Sequence, residues 1–331
     1  MKQLPIPNLF DPTKLDSVWR VDYQEVAASA EAWADQHNVT PSATDKKKIY
    51  LLLVDLQNTF CLPDFELPVI GAVDDNKRVC EFIYRELGNI TKIAPTMDTH
   101  TVMQIFHPFF WINDVGLHPD PASMISADDV RDGVWKVNPA VSGDLGDYTA
   151  LCKYALHYVE ALEASGKFAL TVWPYHAMLG GIGHALVSGI EEALFFHNIA
   201  RHSQTSFQVK GGNWKTENYS VFRPEVLTDA NGVAVGQKNT RFIKMLLDAD
   251  MVIIAGQAKS HCVAWTIDDL LTEIKSQDPS LTEKVYLLED CTSPVVIPGV
   301  IDFTDQADEA FQRFGDEGMH IVKSTSAIES W

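Results

Sequence analysis

An uninterrupted apolar run, Ile49–Val54 (IYLLLV), restricts the fold of this 331-residue chain more than any other segment. Strands that are apolar on both sides lie in parallel sheets whose two faces are covered by helices. Asp55 follows the run directly, at the position where open α/β sheets bind their ligands. A turn or N-cap aspartate is the alternative interpretation of Asp55. The run predicts the central strand of a parallel sheet, with a carboxylate at its carboxyl end.

Further predicted strands and helices alternate along the chain, which is the order of a doubly wound, Rossmann-like α/β sheet with helices on both faces. The predicted strands cover 49–54, 90–96, 168–173, 207–210, 251–255, 285–288 and 319–324. The predicted helices cover 21–37, 76–88, 148–165, 180–199, 241–248 and 305–314, and one more begins at Cys262. We expect one domain over 47–331 with an insertion at about 101–167, preceded by an N-terminal extension, 1–46, packed on it.

Composition excludes several classes of partner and compartment. A net charge of −19 argues against nucleic acid and anionic membranes as partners. Five widely spaced cysteines without a C-x-x-C pair indicate neither a disulfide framework nor a structural zinc site, so we expect a reducing cytoplasm. Residues 168–190 contain no Asp, Glu, Lys or Arg, but they include a proline, two histidines and four glycines. We interpret them as buried core and loop rather than as a membrane span.

Reactive side chains follow the predicted strands at their carboxyl ends. Asp98 and His100 are two residues apart, which places both on one side of an extended segment and suits two ligands of a divalent metal. Lys210 ends another strand. Because the carboxyl ends of parallel strands share one edge of a sheet, we expect Asp55, Asp98, Lys210 and Cys262 to lie close together.

Cys262 lies where a strand, a turn and a helix start meet, in the stretch IIAGQAKSHCVAW. Backbone N–H groups and the positive end of a helix favour a thiolate there, although a buried, inert cysteine is the alternative. A lysine beside the thiol stabilises the thiolate, and a carboxylate can carry its proton. The sequence therefore predicts a nucleophilic cysteine supported by Lys210 and Asp55.

Five short motifs, taken in order, resemble those of the cysteine hydrolases with the isochorismatase-like fold, and within that family those of the nicotinamidases most closely. They are Asp55-Leu-Gln-Asn-Thr-Phe60, Asp98-Thr-His100, Trp173-Pro-Tyr-His176, Lys210-Gly211 with Tyr219-Ser-Val-Phe222, and Gly256-Gln-Ala258 with Cys262-Val263. The resemblance covers 48–111 and 168 to about 322.

This resemblance implies a six-stranded parallel sheet and specific roles for the motif residues. The implied roles are a catalytic triad of Asp55, Lys210 and Cys262; one divalent metal, zinc or else iron or manganese, on Asp98, His100 and His176; substrate contacts from Phe60, Trp173 and Tyr219; and an oxyanion hole formed by the N–H groups of Ala258 and Cys262, with a cis peptide before Ala258. His107 is a candidate fourth metal ligand.

The implied activity is hydrolysis of a small, nicotinamide-like carboxamide to the acid and ammonia through a thioester on Cys262. One alternative is an amidohydrolase of the same chemistry that acts on ureido, carbamoyl or maleamate-like substrates. Another is a member that binds a ligand without turning it over. We expect a homo-oligomer with a small-molecule substrate. We also expect part of 101–167 to form a lid over Cys262, with an oligomer contact as the alternative.

Overall fold

The computed structural model describes residues 3–299 and 301–331. The main sheet of this described part has six parallel strands, in the spatial order β6-β5-β4-β1-β2-β3. They are β1 (Ile49–Val54), β2 (Lys92–Asp98), β3 (Gln208–Lys210), β4 (Met251–Gly256), β5 (Val285–Leu288) and β6 (His320–Val322). The direction of winding reverses between β1 and β4, so the predicted doubly wound α/β fold is confirmed.

Seven longer helices surround this sheet. They are α1 (Tyr23–His37), α2 (Ala72–Arg85), α3 (Tyr148–Ser165), α4 (Ser188–Arg201), α5 (Thr240–Leu247), α6 (Ala264–Gln277) and α7 (Thr304–Asp316). Shorter α-helices cover Asn58–Cys61, Ala127–Arg131 and Ser142–Leu145. Two-residue antiparallel strands pair Trp111–Ile112 with Lys136–Val137, Met124–Ile125 with Leu170–Thr171, and Val296–Ile297 with Ile301–Asp302.

The side chains of β1 divide between two core layers, because successive residues of a strand point to opposite faces. Leu51 and Leu53 belong to the layer beneath α1, α2 and α4. Leu52 and Val54 belong to the layer beneath α3, α5, α6 and α7. All four side chains are fully buried, which is the reason that the run contains no polar residue.

Strand register brings the polar residues at the carboxyl ends together. Leu53 on β1 lies opposite Pro95 on β2, and Val54 lies opposite Gly256 on β4. Asp98 on β2 lies directly opposite Lys210 on β3. The carboxyl ends of β1, β2, β3 and β4 therefore meet at one edge, as the sequence predicted.

Two predicted elements are wrong in detail. Within 168–173, which were predicted as a strand of the sheet, only Leu170 and Thr171 form a strand, and they pair with Met124–Ile125 outside the main sheet. The helix predicted over 180–199 begins at Ser188, because Gly180 has a positive φ and Ile182–His184 form a 3₁₀ turn. Apolar content alone did not distinguish this irregular core segment from regular elements.

The N-terminal segment packs against the domain through α1, which lies on α4. Leu15 is fully buried, and the backbone N–H of Leu4 donates to the carbonyl of Arg85. The division at residue 46 stays a prediction. Among the described residues, no helix is both long enough and apolar enough to span a membrane.

Candidate active site

A cavity opens at the carboxyl edge of the sheet, above the ends of β1, β2 and β4. The volume that water molecules can occupy in it is about 40 Å³. Its walls are formed by Phe60, Leu67, Val69, Asp98, Trp173, His176, Glu217, Tyr219, Gln257, Ala258, His261, Cys262 and Val295. The three side chains predicted to contact a substrate, Phe60, Trp173 and Tyr219, all belong to this wall.

Lys210 joins the predicted catalytic side chains. Its Nζ lies 3.0 Å from Asp55 Oδ2 and 3.0 Å from Asp98 Oδ1. It also donates to the carbonyl of Asn218 at 2.8 Å and lies 3.6 Å from Cys262 Sγ. One ammonium group therefore holds two carboxylates and faces the thiol.

Burial and these charges determine the protonation of the cluster. Burial raises the pKa of Asp55, although Lys210 opposes this effect. Burial alone would favour the neutral amine of Lys210, but Asp55 and Asp98 outweigh it and raise its pKa well above the ordinary value. Asp98 is also buried, yet His100 and Lys210 hold its pKa well below the usual range. The lysine is therefore charged, and Asp55 accepts a proton more readily than an exposed aspartate.

Cys262 lies within a short π-helical turn, Lys259–Val263, which leads into α6. The predicted helix thus begins three residues earlier than Cys262, in a wider turn. Burial raises the pKa of the Cys262 thiol well above its ordinary value, and the nearby Lys210 lowers it only in part. Burial thus favours the neutral thiol, and a base beside the sulfur would have to take its proton during attack. The thiolate expected from the sequence stays a prediction.

The loop that precedes Cys262 is held by close backbone packing. Gly256 has a φ of +123°, and a Cβ at this position would overlap the backbone of Val54 on β1. The peptide bond between Gln257 and Ala258 is cis, as the resemblance implied. The N–H groups of Ala258 and Cys262 as an oxyanion hole stay a prediction.

Asp98, His100 and His176 form a buried cluster whose possible ligand atoms all lie within 4.8 Å of one another. His100 Nδ1 lies 3.3 Å from the carbonyl oxygen of Gly211, and His176 Nδ1 lies 2.7 Å from that of Pro174. A carbonyl oxygen only accepts hydrogen bonds, so each of these Nδ1 atoms carries a proton. In the neutral form of each ring, the Nε2 atom then has a free lone pair that can bind a cation.

Both Nε2 atoms approach the same carboxylate oxygen. Asp98 Oδ2 lies 2.8 Å from His100 Nε2 and 3.8 Å from His176 Nε2. Asp98 Oδ2 and the two Nε2 atoms are all acceptors. Acceptors that lie this close to one another require a cation between them, either a proton or a metal ion. Burial lowers the pKa of His100, but Asp98 outweighs this effect and raises it, so a proton and a metal ion would compete for this place.

His107, the candidate fourth ligand, packs next to this cluster. Its ring centroid lies 5.7 Å from that of His100 and 6.0 Å from that of His176. Its Nε2 is buried without a hydrogen-bond partner among the described residues, but it lies outside the group that could share one ion. Its role as a ligand stays a prediction.

The Gln57 side chain fixes the cluster of Asp98, His100 and His176 relative to the end of β1. Gln57 Nε2 donates to the carbonyl of Asp98 at 2.8 Å, and the backbone N–H of Asp98 donates back to Gln57 Oε1 at 2.7 Å. Thr96 on β2 accepts from the backbone N–H of Asp55 at 2.9 Å. These bonds lock the ends of β1 and β2 together, which holds Asp55 and Asp98 in a fixed relation.

Sequence reasoning missed two titratable residues of the wall, Glu217 and His261. Burial raises the pKa of Glu217 to about 7 and lowers that of His261 to about 3. Glu217 follows Lys210 by seven residues in an irregular segment, so no periodicity indicated it. His261 directly precedes the cysteine, and that adjacency was the one signal available in the sequence.

The segment 101–167 contributes no side chain to the cavity wall, so the lid expected over Cys262 is not found. Instead, α3 packs behind the wall. The backbone N–H of Glu217 donates to Tyr158 Oη at 3.1 Å, and Tyr154 Oη donates to the carbonyl of Lys215 at 2.9 Å. The insertion therefore supports the segment 215–219 from outside the cavity.

Comparison with solved structures identifies proteins of the same fold. A nicotinamidase/pyrazinamidase from Acinetobacter baumanii superposes with a TM-score of 0.51 at 19% identity, over 85% of this chain and 99% of that one. The yeast nicotinamidase superposes with a TM-score of 0.52, and with 0.53 when bound to the inhibitor nicotinaldehyde; both comparisons give 19% identity over 83% of this chain and 99% of the yeast chain. No family model and no curated protein sequence matches.

These superpositions show that the chain has the fold of these nicotinamidases. The fold expected from the five motifs is therefore confirmed. At this identity the likeness concerns the backbone arrangement, so the chemistry has to be argued from the side chains at the sheet edge.

Proposed function

We propose that the protein is a cysteine amidohydrolase that hydrolyses a small, uncharged, nicotinamide-like carboxamide to the acid and ammonia. The observation that carries this proposal is the position of Lys210 Nζ between Asp55, Asp98 and Cys262 Sγ. A thiol on the wall of a mostly apolar cavity, with a base and a fixed cation directly beside it, provides the components of an acyl-transfer site.

The proposed reaction begins when Asp55 removes the proton of the Cys262 thiol as the sulfur attacks the amide carbonyl. The raised pKa of Asp55 suits this transfer, since a very weak base would not take a thiol proton. Lys210 stabilises the negative charge on sulfur, and the N–H groups of Ala258 and Cys262 receive the carbonyl oxygen. Asp55 then returns the proton to the departing ammonia, and water hydrolyses the thioester.

Asp98, His100 and His176 would hold a divalent metal ion in this proposal, and zinc, iron and manganese all accept this set of ligands. The convergence of three acceptor atoms supports the assignment. A bound ion would supply Lewis acidity and a point of attachment for a substrate atom. The two Nδ1 contacts to backbone carbonyls orient the imidazoles for this task.

The charge of the cavity favours an uncharged substrate over the ureido acids and maleamate of the alternative hypothesis. Those substrates carry a carboxylate, which needs a cation as partner. Asp98 and Glu217 are acidic members of the wall, and neither an arginine nor a lysine occurs among the described residues that form it. Phe60 and Trp173 offer flat apolar surfaces instead, which suit an aromatic acyl group.

The test is ammonia release from nicotinamide, pyrazinamide, a ureido acid and maleamate, with metal content measured on the same sample. We expect release from the two aromatic amides and about one metal ion per chain. Cys262→Ala should lose at least about a thousandfold in turnover. Cys152→Ala is the matched control, because Cys152 lies on α3 outside the cavity wall. Release from maleamate or the ureido acid alone would instead favour the alternative substrates.

A further inference from the structure

His261 lies in the cavity wall within a box of aromatic rings. Phe168 stacks on it with ring centroids 4.6 Å apart and planes inclined by 16°. Phe303 and Tyr219 meet it edge-on, at 4.7 and 5.5 Å. The side chain is only 5% exposed. The orientation of the imidazole is therefore fixed by packing, and only the part that faces the cavity is free to meet a ligand.

Ser260 determines which ring nitrogen carries the proton. Ser260 Oγ accepts from the backbone N–H of Val295 at 3.0 Å and lies 2.8 Å from His261 Nδ1. These are the contacts described for this buried hydroxyl, so its own proton has an acceptor only in Nδ1. His261 then carries its proton on Nε2. Because burial lowers its pKa to about 3, the ring stays neutral at physiological pH.

His261 Nε2–H has no hydrogen-bond partner among the residues that the structure describes. Other side-chain N–H donors of the wall are engaged, since Trp173 Nε1 donates to Tyr219 Oη at 3.1 Å and Gln257 Nε2 donates to Asp75 at 2.8 Å. A donor in the cavity wall that has no protein partner penalises any ligand that removes its water without offering an acceptor. Such a site distinguishes a ligand that can accept this hydrogen bond from one that cannot more strongly than it distinguishes ligands of different size.

We propose that His261 presents Nε2–H as a fixed, uncharged donor that selects carboxamides whose ring carries a second hydrogen-bond acceptor, such as a diazine. The inference rests on the proposed function and specifies its substrate class. His261 acts as a specificity residue, and Ser260 acts through it as a positioning residue.

The experiment compares four amides of nearly equal size. Nicotinamide is the reference, and pyrazine-2-, pyrimidine-5- and pyridazine-4-carboxamide each add one ring nitrogen at a different position. For each diazine, the ratio of its kcat/KM to that of nicotinamide is measured in the wild-type enzyme and in His261→Phe, which keeps an aromatic ring without the N–H. Electronic effects on amide reactivity cancel in the comparison of the two ratios.

We expect one diazine to lose about 10- to 100-fold relative to nicotinamide in His261→Phe. His261→Gln, whose amide can place an N–H near the same point, should recover most of this loss. Long-range ¹H–¹⁵N spectra should show the Nε2–H form of His261 in the wild-type protein and a mixture of tautomers in Ser260→Ala. Ratios that change by less than about threefold for all three diazines, or an Nδ1–H tautomer in the wild-type protein, would overturn the proposal.

The same comparison distinguishes failure of the proposed function from failure of the donor role. If wild-type protein releases no ammonia from any of the four amides, the hydrolase proposal fails, and the dissociation constants of the four amides themselves replace kcat/KM. A diazine preference in binding that disappears in His261→Phe then still supports the donor role. Equal binding ratios in both proteins contradict it.

Discussion

At the residue scale, one buried ammonium group holds the charged cluster at the sheet edge together. Lys210 is 5% exposed, and it contacts two carboxylates that are 0% and 3% exposed. Buried carboxylates without a cation are costly, so the fold depends on this lysine. In the proposed reaction it would also stabilise the attacking sulfur. Its position opposite Asp98 follows from the register of β2 and β3.

Replacing Lys210 by methionine, which keeps the length of the side chain, should lower turnover at least about a thousandfold. It should also lower the free energy of unfolding by about 3–5 kcal/mol, because Asp55 and Asp98 lose their partner. Steady-state kinetics and urea denaturation measure the two effects. Lys238→Met, which removes a partly exposed lysine paired with Glu273, is the control. Near-normal turnover of Lys210→Met would remove Lys210 from the catalytic role.

Gly211 and Gly212 offer a matched pair of substitutions beside the proposed metal ligands Asp98 and His100. Gly211 has a φ of +82°, and a Cβ there would lie 2.6 Å from Asp98 Oδ1 and 2.8 Å from His100 Cε1. A Cβ on Gly212 would meet nothing within 4 Å. Gly211→Ala should therefore weaken metal binding about tenfold or more, since it displaces two ligands, whereas Gly212→Ala should bind like the wild type. Titration of the metal-free proteins with zinc tests this, and equal affinities would contradict the assigned ligands.

At the element scale, α2 fixes the loop that leads to Cys262. Asp75 on α2 accepts from Gln257 Nε2 at 2.8 Å and from Ser293 Oγ at 2.7 Å, and Arg78 donates to its other oxygen at 2.6 Å. The backbone N–H of Ser293 donates to Gln257 Oε1 at 3.2 Å. A single carboxylate therefore connects a helix, the loop before the nucleophile and the segment after β5.

Asp75→Ala should lower the free energy of unfolding by about 2–4 kcal/mol, because it leaves buried donors without an acceptor. It should also lower kcat more than it raises KM, since the loop that positions Cys262 loses its support. Asp74→Ala is the control, because Asp74 is the preceding residue of the same helix and is exposed. Chemical denaturation and steady-state kinetics measure both effects. An Asp75→Ala enzyme with wild-type kcat would show that the network acts on stability alone.

Regular elements were predictable where periodicity and sharp chain breaks coincide. The strands β1 and β5 and the helix α3 match their predicted bounds, and every catalytic and metal candidate at the strand ends lies at the shared edge. The wall residues that the sequence did not indicate are placed by tertiary contacts. Glu217 and His261 reach the cavity because α3 and Phe168 hold irregular segments in place, and no local pattern records such contacts.

At the scale of the whole molecule, 101–167 is part of the core rather than a cover for the cavity. Phe110, Trp111 and Tyr158 are fully buried in the same layer as Phe222 and Ile267. The apolar side chains of this segment, which suggested a lid, are instead buried in a core layer that also contains side chains of α5 and α6. The insertion shapes the cavity only through the segment 215–219 that it supports.

Replacing 112–165 by a short Gly/Ser linker should therefore abolish cooperative folding or lower Tm markedly, because it exposes one side of a core layer. Thermal unfolding followed by near-ultraviolet circular dichroism measures this. As a control, shortening the exposed turn 114–117 should change Tm by only a few degrees, as loop length has a small effect on stability. A trimmed protein that unfolds cooperatively at the wild-type temperature would show that the segment is an independent addition.

In the proposed mechanism, acyl transfer passes through a thioester on Cys262. The most direct measurement is the partition of the acyl group between water and added hydroxylamine, with nicotinamide and with methyl nicotinate as substrates. If both substrates form the same thioester, the ratio of hydroxamate to acid is the same for both at each hydroxylamine concentration. Different ratios, or hydroxamate from the ester and none from the amide, would contradict a common intermediate on Cys262.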